Sequence, residues 1–255
     1  MIILLAESKT FNTASQLRDA ESLTTPVFNS QAKEIIDSLS GMSAASLRQS
    51  LGLSPTLAAR MQGYINEFNA GESIPVRSAF TGVVFKALDI PSLDGAACNR
   101  LRSRLRIISS LYGYLRPDDG IRPYRMEYKS VPPFPGIPLS AYWHGLLADP
   151  IKKEMDKVGD GIILNLLPAD AQACLPLKEL REEYTLVTPS FKEMRPDGTL
   201  STPIAGKLKR MRGLFTRMVL AEDLKSLQDL LACRSMDFAY YPEGSQERLN
   251  PVFVC

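Results

Sequence analysis

The sequence predicts an α+β fold: a single mixed domain over residues 1–255 with an inserted helix-hairpin-helix element at about 44–68. Three observations predict it. Short aliphatic runs alternate with helical periodicities, but without the steady strand–helix–strand rhythm of a doubly wound sheet. No internal repeat or low-complexity linker divides the chain. No Gly-x-Gly-x-x-Gly or Walker text follows a candidate strand, so the usual dinucleotide and NTP sites are not expected.

Each element follows from its local pattern. Ile2–Leu5 is a continuous aliphatic run, the mark of a short buried strand, and residues 12–30 are polar enough for a loop. Three helical pieces follow up to about Asn69. Ile35, Ile36 and Leu39 set one face, Ser43 caps a helix through Leu51, and Ser54-Pro55 opens another with Leu57, Ala58, Met61 and Ile65 on one side. Leu101, Leu105, Ile108 and Leu111 recur at steps of three and four, which predicts a helix over Asn99–Leu111. Another spans Ala141–Val158, broken or restarted at Pro150. Ile162–Leu166 is a strand core. Tyr184–Met194 reads as a strand whose hairpin partner, Thr199–Ile204, follows the Pro196-Asp197-Gly198 turn. Residues 205–219 and 221–232 read as helices, and Phe238–Tyr241 and Val252–Val254 as closing strands.

A net charge of +2 leaves no bulk polycation to steer the chain to nucleic acid, so electrostatic targeting must be local. The four cysteines, Cys98, Cys174, Cys233 and Cys255, lie far apart with no Cys-x-x-Cys pair. That spacing suits a reducing cytoplasm, and neither a zinc knuckle nor a disulfide framework. No run is long and apolar enough for a membrane helix, and the first residues lack a signal-peptide core. The only histidine, His144, follows Trp143 and reads as a packed or capping residue. No metal site or cofactor is expected.

Residues 111–128 form a turn-rich loop with four tyrosines (Tyr112, Tyr114, Tyr124, Tyr128) and three arginines (Arg116, Arg122, Arg125). Such a loop is either a binding surface or a crossover whose tyrosines pack inward and whose arginines pair with Asp118, Asp119 and Glu127. Leu47–Met61 resembles a helix-hairpin-helix. Gly52 permits a left-handed turn, Leu53 points between the helices, Ala58 allows close approach, and Ser54-Pro55 starts a helix whose free N–H groups could grip a phosphate. Ser54 stands where many such motifs have a second Gly. A basic cluster, Lys207, Lys209, Arg210, Arg212 and Arg217, has no acid between Ile204 and Leu220, and phosphate binding or a solvated face explains it. Gly52, Leu53, Ser54, Arg60, Lys209, Arg210, Arg212 and Arg217 are thus the nucleic-acid-binding candidates. Lys9 and Thr10 after the first strand, Asn165 at another strand end, and Tyr112, Arg116 and Arg125 are candidates for an anion-binding cleft.

The text Leu111-Tyr112-Gly113-Tyr114-Leu115-Arg116-Pro117, then Pro123-Tyr124-Arg125-Met126-Glu127, resembles the signature of the YaaA family of bacterial peroxide-stress proteins. The likeness runs from Ile2–Leu5 with Ser8-Lys9-Thr10, through Tyr142-Trp143, Ile163–Leu166 and Lys209–Leu214, to Pro251-Val252-Phe253. It implies a role in surviving hydrogen peroxide and lowering unincorporated iron, an unusual α+β domain with a helix-hairpin-helix, a basic cleft, and affinity for DNA. The chain departs from the family text at Ala6-Glu7-Ser8, at Val83, Phe85 and Ala87, and at Leu167, Pro168 and Ala171. Carboxylate and tyrosine positions are lost there while basic ones remain, which favours binding over catalysis.

The expectation is a cytoplasmic peroxide-stress protein that binds double- or single-stranded DNA through phosphates, without sequence specificity. An enzyme acting on a small anionic, nucleotide-like ligand is the alternative, and iron handling a weaker one.

Overall fold

The computed structural model describes residues 1–12, 23–245 and 247–255; most of the polar loop expected over 12–30 lies outside them. The first strand, β1 (Ile2–Ala6), is followed by α1 (Asn29–Leu39), α2 (Ala44–Leu51) and α3 (Pro55–Glu67). Next come β2 (Ile74–Pro75), α4 (Val76–Ala79), α5 (Val83–Leu88), α6 (Gly95–Arg104), β3 (Leu105–Ser109), β4 (Gly113–Leu115) and β5 (Gly120–Ile121). The middle of the chain adds α7 (Leu139–His144), α8 (Ala148–Val158), β6 (Ile162–Asn165), α9 (Ala169–Gln172), α10 (Leu177–Glu183) and β7 (Thr185–Val187). The last part holds β8 (Ser190–Met194), β9 (Leu200–Ser201), α11 (Ala205–Ala221), α12 (Leu227–Ala232), β10 (Ala239–Tyr240) and β11 (Val252–Val254).

The main sheet has strand order β4-β3-β1-β6-β7. β3, β1, β6 and β7 run parallel, and β4 returns antiparallel on β3. The central β1 is covered on both faces, which is why Ile2, Ile3, Leu4 and Leu5 form an unbroken apolar run, each at most 1% exposed. A second sheet, β10-β11-β8-β9, contains the expected hairpin, with Glu193 opposite Ser201 and Met194 opposite Leu200. The coarse α+β expectation is met: helices and several sheets are mixed through the fold.

Three elements differ from the sequence expectation. The helix expected over Asn99–Leu111 stops at Arg104, and Leu105–Ser109 is a strand beside β1. The leucine spacing fits a helix, but a short run with Ile107 and Ile108 fits a fully buried strand equally well, and the open edge of β1 decides. Arg106 can lie in that strand because its guanidinium meets Glu154 of α8, with Nε 3.2 Å from Oε2. Burial pushes the Glu154 carboxyl up, but hydrogen bonds and charge from Lys157 and Arg106 outweigh this and hold it below the ordinary value. The strand expected over Tyr184–Met194 divides at Thr188-Pro189 into β7 of one sheet and β8 of the other, since proline has no N–H for a ladder. The break in Ala141–Val158 falls at 145–147, and Pro150 sits in the first turn of α8, where its missing N–H costs nothing.

α2 and α3 are joined by the three residues Gly52–Ser54. Gly52 is left-handed (φ 67°, ψ 32°), Leu53 is buried, and the Ser54 hydroxyl accepts from the Leu57 N–H at 3.4 Å. α11 is fixed on two sides. Phe215 joins Phe191, Phe238 and Phe253 of the second sheet's cluster, with centroids 4.9–5.7 Å from its ring. On its other side Gly213 lies against α5, so close that a Cβ there would be 2.2 Å from the Val84 carbonyl oxygen.

Candidate functional site

A cavity of about 450 Å³ opens at the carboxyl ends of β1 and β6. The chain leaves β1 for β3 on one side, and β6 is added later on the other, so β1 and β6 flank the point where the order of winding reverses. In open sheets that crevice is where ligands bind, because diverging connections leave room above the strand ends. Leu5 to Thr10 form its floor, Thr81 to Lys86 at the start of α5 one wall, and Leu166, Pro168 and Asp170 after β6 another. Lys209 and Arg212 of α11 close the third side, three residues apart on one helical face.

Glu7 sits at the floor with both carboxyl oxygens engaged. Ser110 donates its N–H to Oε2 at 2.9 Å and its hydroxyl to Oε1 at 2.7 Å, and the Tyr124 hydroxyl donates to Oε2. Burial raises the Glu7 carboxyl above its ordinary value, and these hydrogen bonds only partly oppose it. Ser8 and Thr10 share a hydroxyl contact at 3.1 Å, and Thr81 donates its hydroxyl to that of Thr10 at 3.1 Å. Gly82 packs closely beside them: a Cβ there would lie 2.4 Å from the Ser8 hydroxyl oxygen, which would have to turn away.

The cations around the cavity differ in partnership. Lys9 is tied to Glu127, which also accepts from Arg125 at 2.9 Å. Lys209 and Arg212 make no hydrogen bond or ion pair with any described residue. Desolvation lowers the Arg212 pKa, partly offset by the charge of Asp170, so a cation is held in half-buried surroundings without a direct partner. Such a group gains most from an incoming anion.

The family model for peroxide stress protein YaaA matches residues 1–244. The chain belongs to the YaaA family of peroxide stress proteins. Its relatives match over their whole length. A UPF0246 protein of Ruegeria sp. (strain TM1040) is 31% identical over 255 residues, covering 100% of this chain and 99% of that protein. One from Parabacteroides distasonis is 31% identical over 257 residues, with 100% and 99% covered. One from Rickettsia felis is 32% identical over 247 residues, with 97% of each covered.

In this YaaA-family chain, several departures from the expected family text line the cavity: Val83, Phe85 and Pro168; Ala171 is buried. Of the cleft candidates, Lys9 and Thr10 line the cavity, and so do Lys209 and Arg212 from the nucleic-acid candidates. The others lie elsewhere. Tyr112 is buried, accepts the Arg122 N–H at 3.2 Å, and has its pKa pushed up by burial to about 12. Arg116 is held by Asp119 and by the Thr25 carbonyl at 2.9 Å. Arg125 is mostly buried with one amino group, Nη1, lacking a partner among the described residues. Asn165 donates to the Thr188 hydroxyl at 3.3 Å and accepts from the Leu167 N–H at 3.2 Å, so it shapes the turn after β6. Arg210 pairs with Asp237 at 2.7 Å, and Arg217 donates to the Leu88 and Asp89 carbonyls at 3.0 and 2.9 Å, capping α5. The tyrosine loop is thus the inward-packed crossover, with Tyr112, Tyr114, Tyr124 and Tyr128 all buried.

Gly52, Ser54 and Arg60 are exposed around the α2–α3 turn, and Arg60 has no partner among the described residues. Residues 125–131 connect this turn to the cavity. Glu127 holds Lys9 at one end, while the Ser130 hydroxyl donates to the Leu51 carbonyl at 2.8 Å and Val131 exchanges hydrogen bonds with Ser50 at the other. Sequence reasoning missed Glu7, Ser110 and Asp170 as site residues. The signal available was position: Glu7 follows the central strand directly, and Asp170 follows the strand added beside it. Among the described residues no group of three or more His, Cys, Asp or Glu stands where it could hold a metal ion, and no helix is long and apolar enough to cross a membrane.

Proposed function

We propose that this peroxide stress protein binds DNA through phosphates, using the α2–α3 turn as a helix-hairpin-helix and the Lys209/Arg212 pair at the cavity as a second anion contact. The observation that carries the reading is that pair: Arg116, Arg125, Arg210 and Arg217 each pair with the protein's own acceptors, although one amino group of Arg125 does not, whereas Lys209 and Arg212 have no partner among the described residues. The exposed turn at Gly52–Ser54 supports it, since backbone donors at the start of α3 grip a phosphate without reading a base. Segment 125–131 touches both regions, through Ser130 on the Leu51 carbonyl and Glu127 on Lys9 at the cavity.

The test is binding of labelled duplex and single-stranded DNA across a salt series, with Lys209→Glu/Arg212→Glu and Gly52→Asp alongside. The logarithm of affinity should fall with log salt by about 0.9 per phosphate contacted on duplex, and each variant should reduce both affinity and slope. Absence of binding at about 50 mM salt, where phosphate contacts are strong, overturns the reading.

A second reading has its own observation. Glu7 is a carboxyl whose pKa burial raises, oriented by Ser110 and Tyr124 at the floor of the same cavity, and a raised carboxyl in a cleft is a candidate general acid. An enzyme acting on a small anionic ligand would lose turnover in Glu7→Gln while keeping ligand affinity. Loss of affinity alone argues against it.

A further inference from the structure

We infer that the cavity is a receptor for a terminal phosphomonoester carried on a nucleotide, rather than for the internal phosphodiester of a continuous strand. This rests on the anion-binding reading of Lys209 and Arg212 and goes further, because it names what enters. Shape is the first argument. The floor is the protein core itself: Leu5, Ser8, Phe85, Tyr128 and Leu166 line the cavity and are each 7% exposed or less. A cleft with such a floor seats the end of a strand more deeply than a strand that runs across its exposed rim. The volume of about 450 Å³ lies in the range of small-ligand sites, enough for one nucleotide unit.

Charge is the second argument. Lys9 is paired with Glu127, which it shares with Arg125, and the Glu7 oxygens are already taken by Ser110 and Tyr124. Lys86, Lys209 and Arg212 have no partner among the described residues, and the Asp170 carboxylate opposes them within the lining. The excess is close to two positive charges. A phosphomonoester carries about −1.5 to −2 at neutral pH, whereas a phosphodiester carries one negative charge. Burial raises the Glu7 carboxyl above its ordinary value, which weakens its opposition to that excess. The third argument is the composition of the walls. Val83, Val84 and Phe85 with Pro168 offer an apolar surface for sugar and base, and the Ser8, Thr10 and Thr81 hydroxyls offer directional contacts beside it. A bare inorganic anion would use none of that surface.

The same chemistry has two sources, a strand end or a free nucleoside monophosphate, and the experiment separates them. The full-length protein is titrated with single-stranded oligonucleotides ending in a 5′-phosphate, a 3′-phosphate or hydroxyls only, with a circular single strand, and with deoxynucleoside monophosphates and their nucleosides. A phosphorylated end or a free monophosphate should bind at least about tenfold tighter than its hydroxyl counterpart, the order of one added charge-assisted hydrogen bond. The preference should shrink below about pH 6, where the second phosphate proton returns. Lys209→Gln and Arg212→Gln should each erase the preference. A preference confined to oligonucleotides identifies strand ends, and one shared by monophosphates identifies the free nucleotide. Equal binding of circular, hydroxyl-ended and phosphate-ended strands overturns the inference and leaves DNA binding standing. Monophosphate binding without any DNA binding does the reverse.

Discussion

Gly213 is the residue on which the geometry of the cavity turns, and replacing it with alanine makes a sharp test. The added Cβ would lie 2.2 Å from the Val84 carbonyl oxygen, 2.7 Å from the Ala87 Cβ and 3.1 Å from the Leu88 nitrogen. Ordinary contact begins at 3.4 Å, so the Val84 carbonyl must retreat by 3.4 − 2.2 = 1.2 Å. Those atoms are backbone, and α5 is tethered by Arg217, which donates to the Leu88 and Asp89 carbonyls. Retreat therefore strains those bonds as well. Overpacking of this kind costs about 1–3 kcal/mol, which for a chain of this size lowers the melting temperature by about 2–12 °C. The control lies on the same helix: Gly206 has nothing within 4 Å of an added Cβ, and Gly206→Ala should leave stability unchanged or raise it. α5 carries Val83, Val84 and Phe85 while α11 carries Lys209 and Arg212, so Gly213→Ala should also weaken anion binding at temperatures well below its melting point. A Gly213→Ala protein that melts within about 1 °C of the parent and binds DNA equally would refute the claim that close approach of these helices sets the site.

Three further outcomes follow from particular contacts. The Glu7 carboxyl is raised above its ordinary 4.5, so its contribution to stability is full below that value and is lost as pH rises through the folded value. Glu7→Gln lacks that dependence, and urea unfolding from pH 4.5 upward should show the parent losing stability relative to the variant; a difference flat with pH is the contrary result. Glu154→Ala leaves Arg106 buried without its carboxylate and should cost about 3–5 kcal/mol in denaturant titrations, with the double change Arg106→Met/Glu154→Leu costing less. Gly52→Ala forces a side chain into the left-handed turn and should cost about 1 kcal/mol, Gly52→Asn less, and equal stability of all three would remove the conformational argument for glycine there.

The fold was legible wherever a local signal and the tertiary context agreed. Ser43, Gly52 and Ser54-Pro55 punctuate α1–α3 through caps that need no knowledge of the rest of the chain. Pro196-Asp197-Gly198 closes its hairpin for the same reason. Leu105–Ser109 was illegible because its apolar spacing suits either structure, and the decision belongs to β1, a hundred residues earlier, whose edge it pairs. The alternating arginines of this region show the same dependence. Arg100 caps the end of α11, Arg104 meets Asp223, and Arg106 meets Glu154, partners that sequence spacing does not announce.

The site divides along the same line. Lys9, Thr10, Lys209 and Arg212 were found from residue type, because an ammonium and a hydroxyl just after a strand, or a run of cations with no acid between them on a helix, stand out in the sequence. Arg116 and Arg125 were equally visible and lie elsewhere, because a guanidinium beside an aspartate or glutamate in a turn-rich loop is satisfied locally first. The loop still serves the site, though not by its cations. Ser109 holds the Tyr124 hydroxyl at 2.7 Å, Tyr124 and Ser110 hold Glu7, and Trp143 anchors the Ser110 carbonyl at 2.8 Å. The aromatic block is therefore the frame that buries and orients a carboxyl at the end of the central strand, burial raising its pKa while the hydrogen bonds from Tyr124 and Ser110 partly oppose the rise. A substitution such as Tyr124→Phe should then reach the cavity through Glu7 alone, changing its pH dependence while the unpartnered cations on α11 keep their grip on an anion.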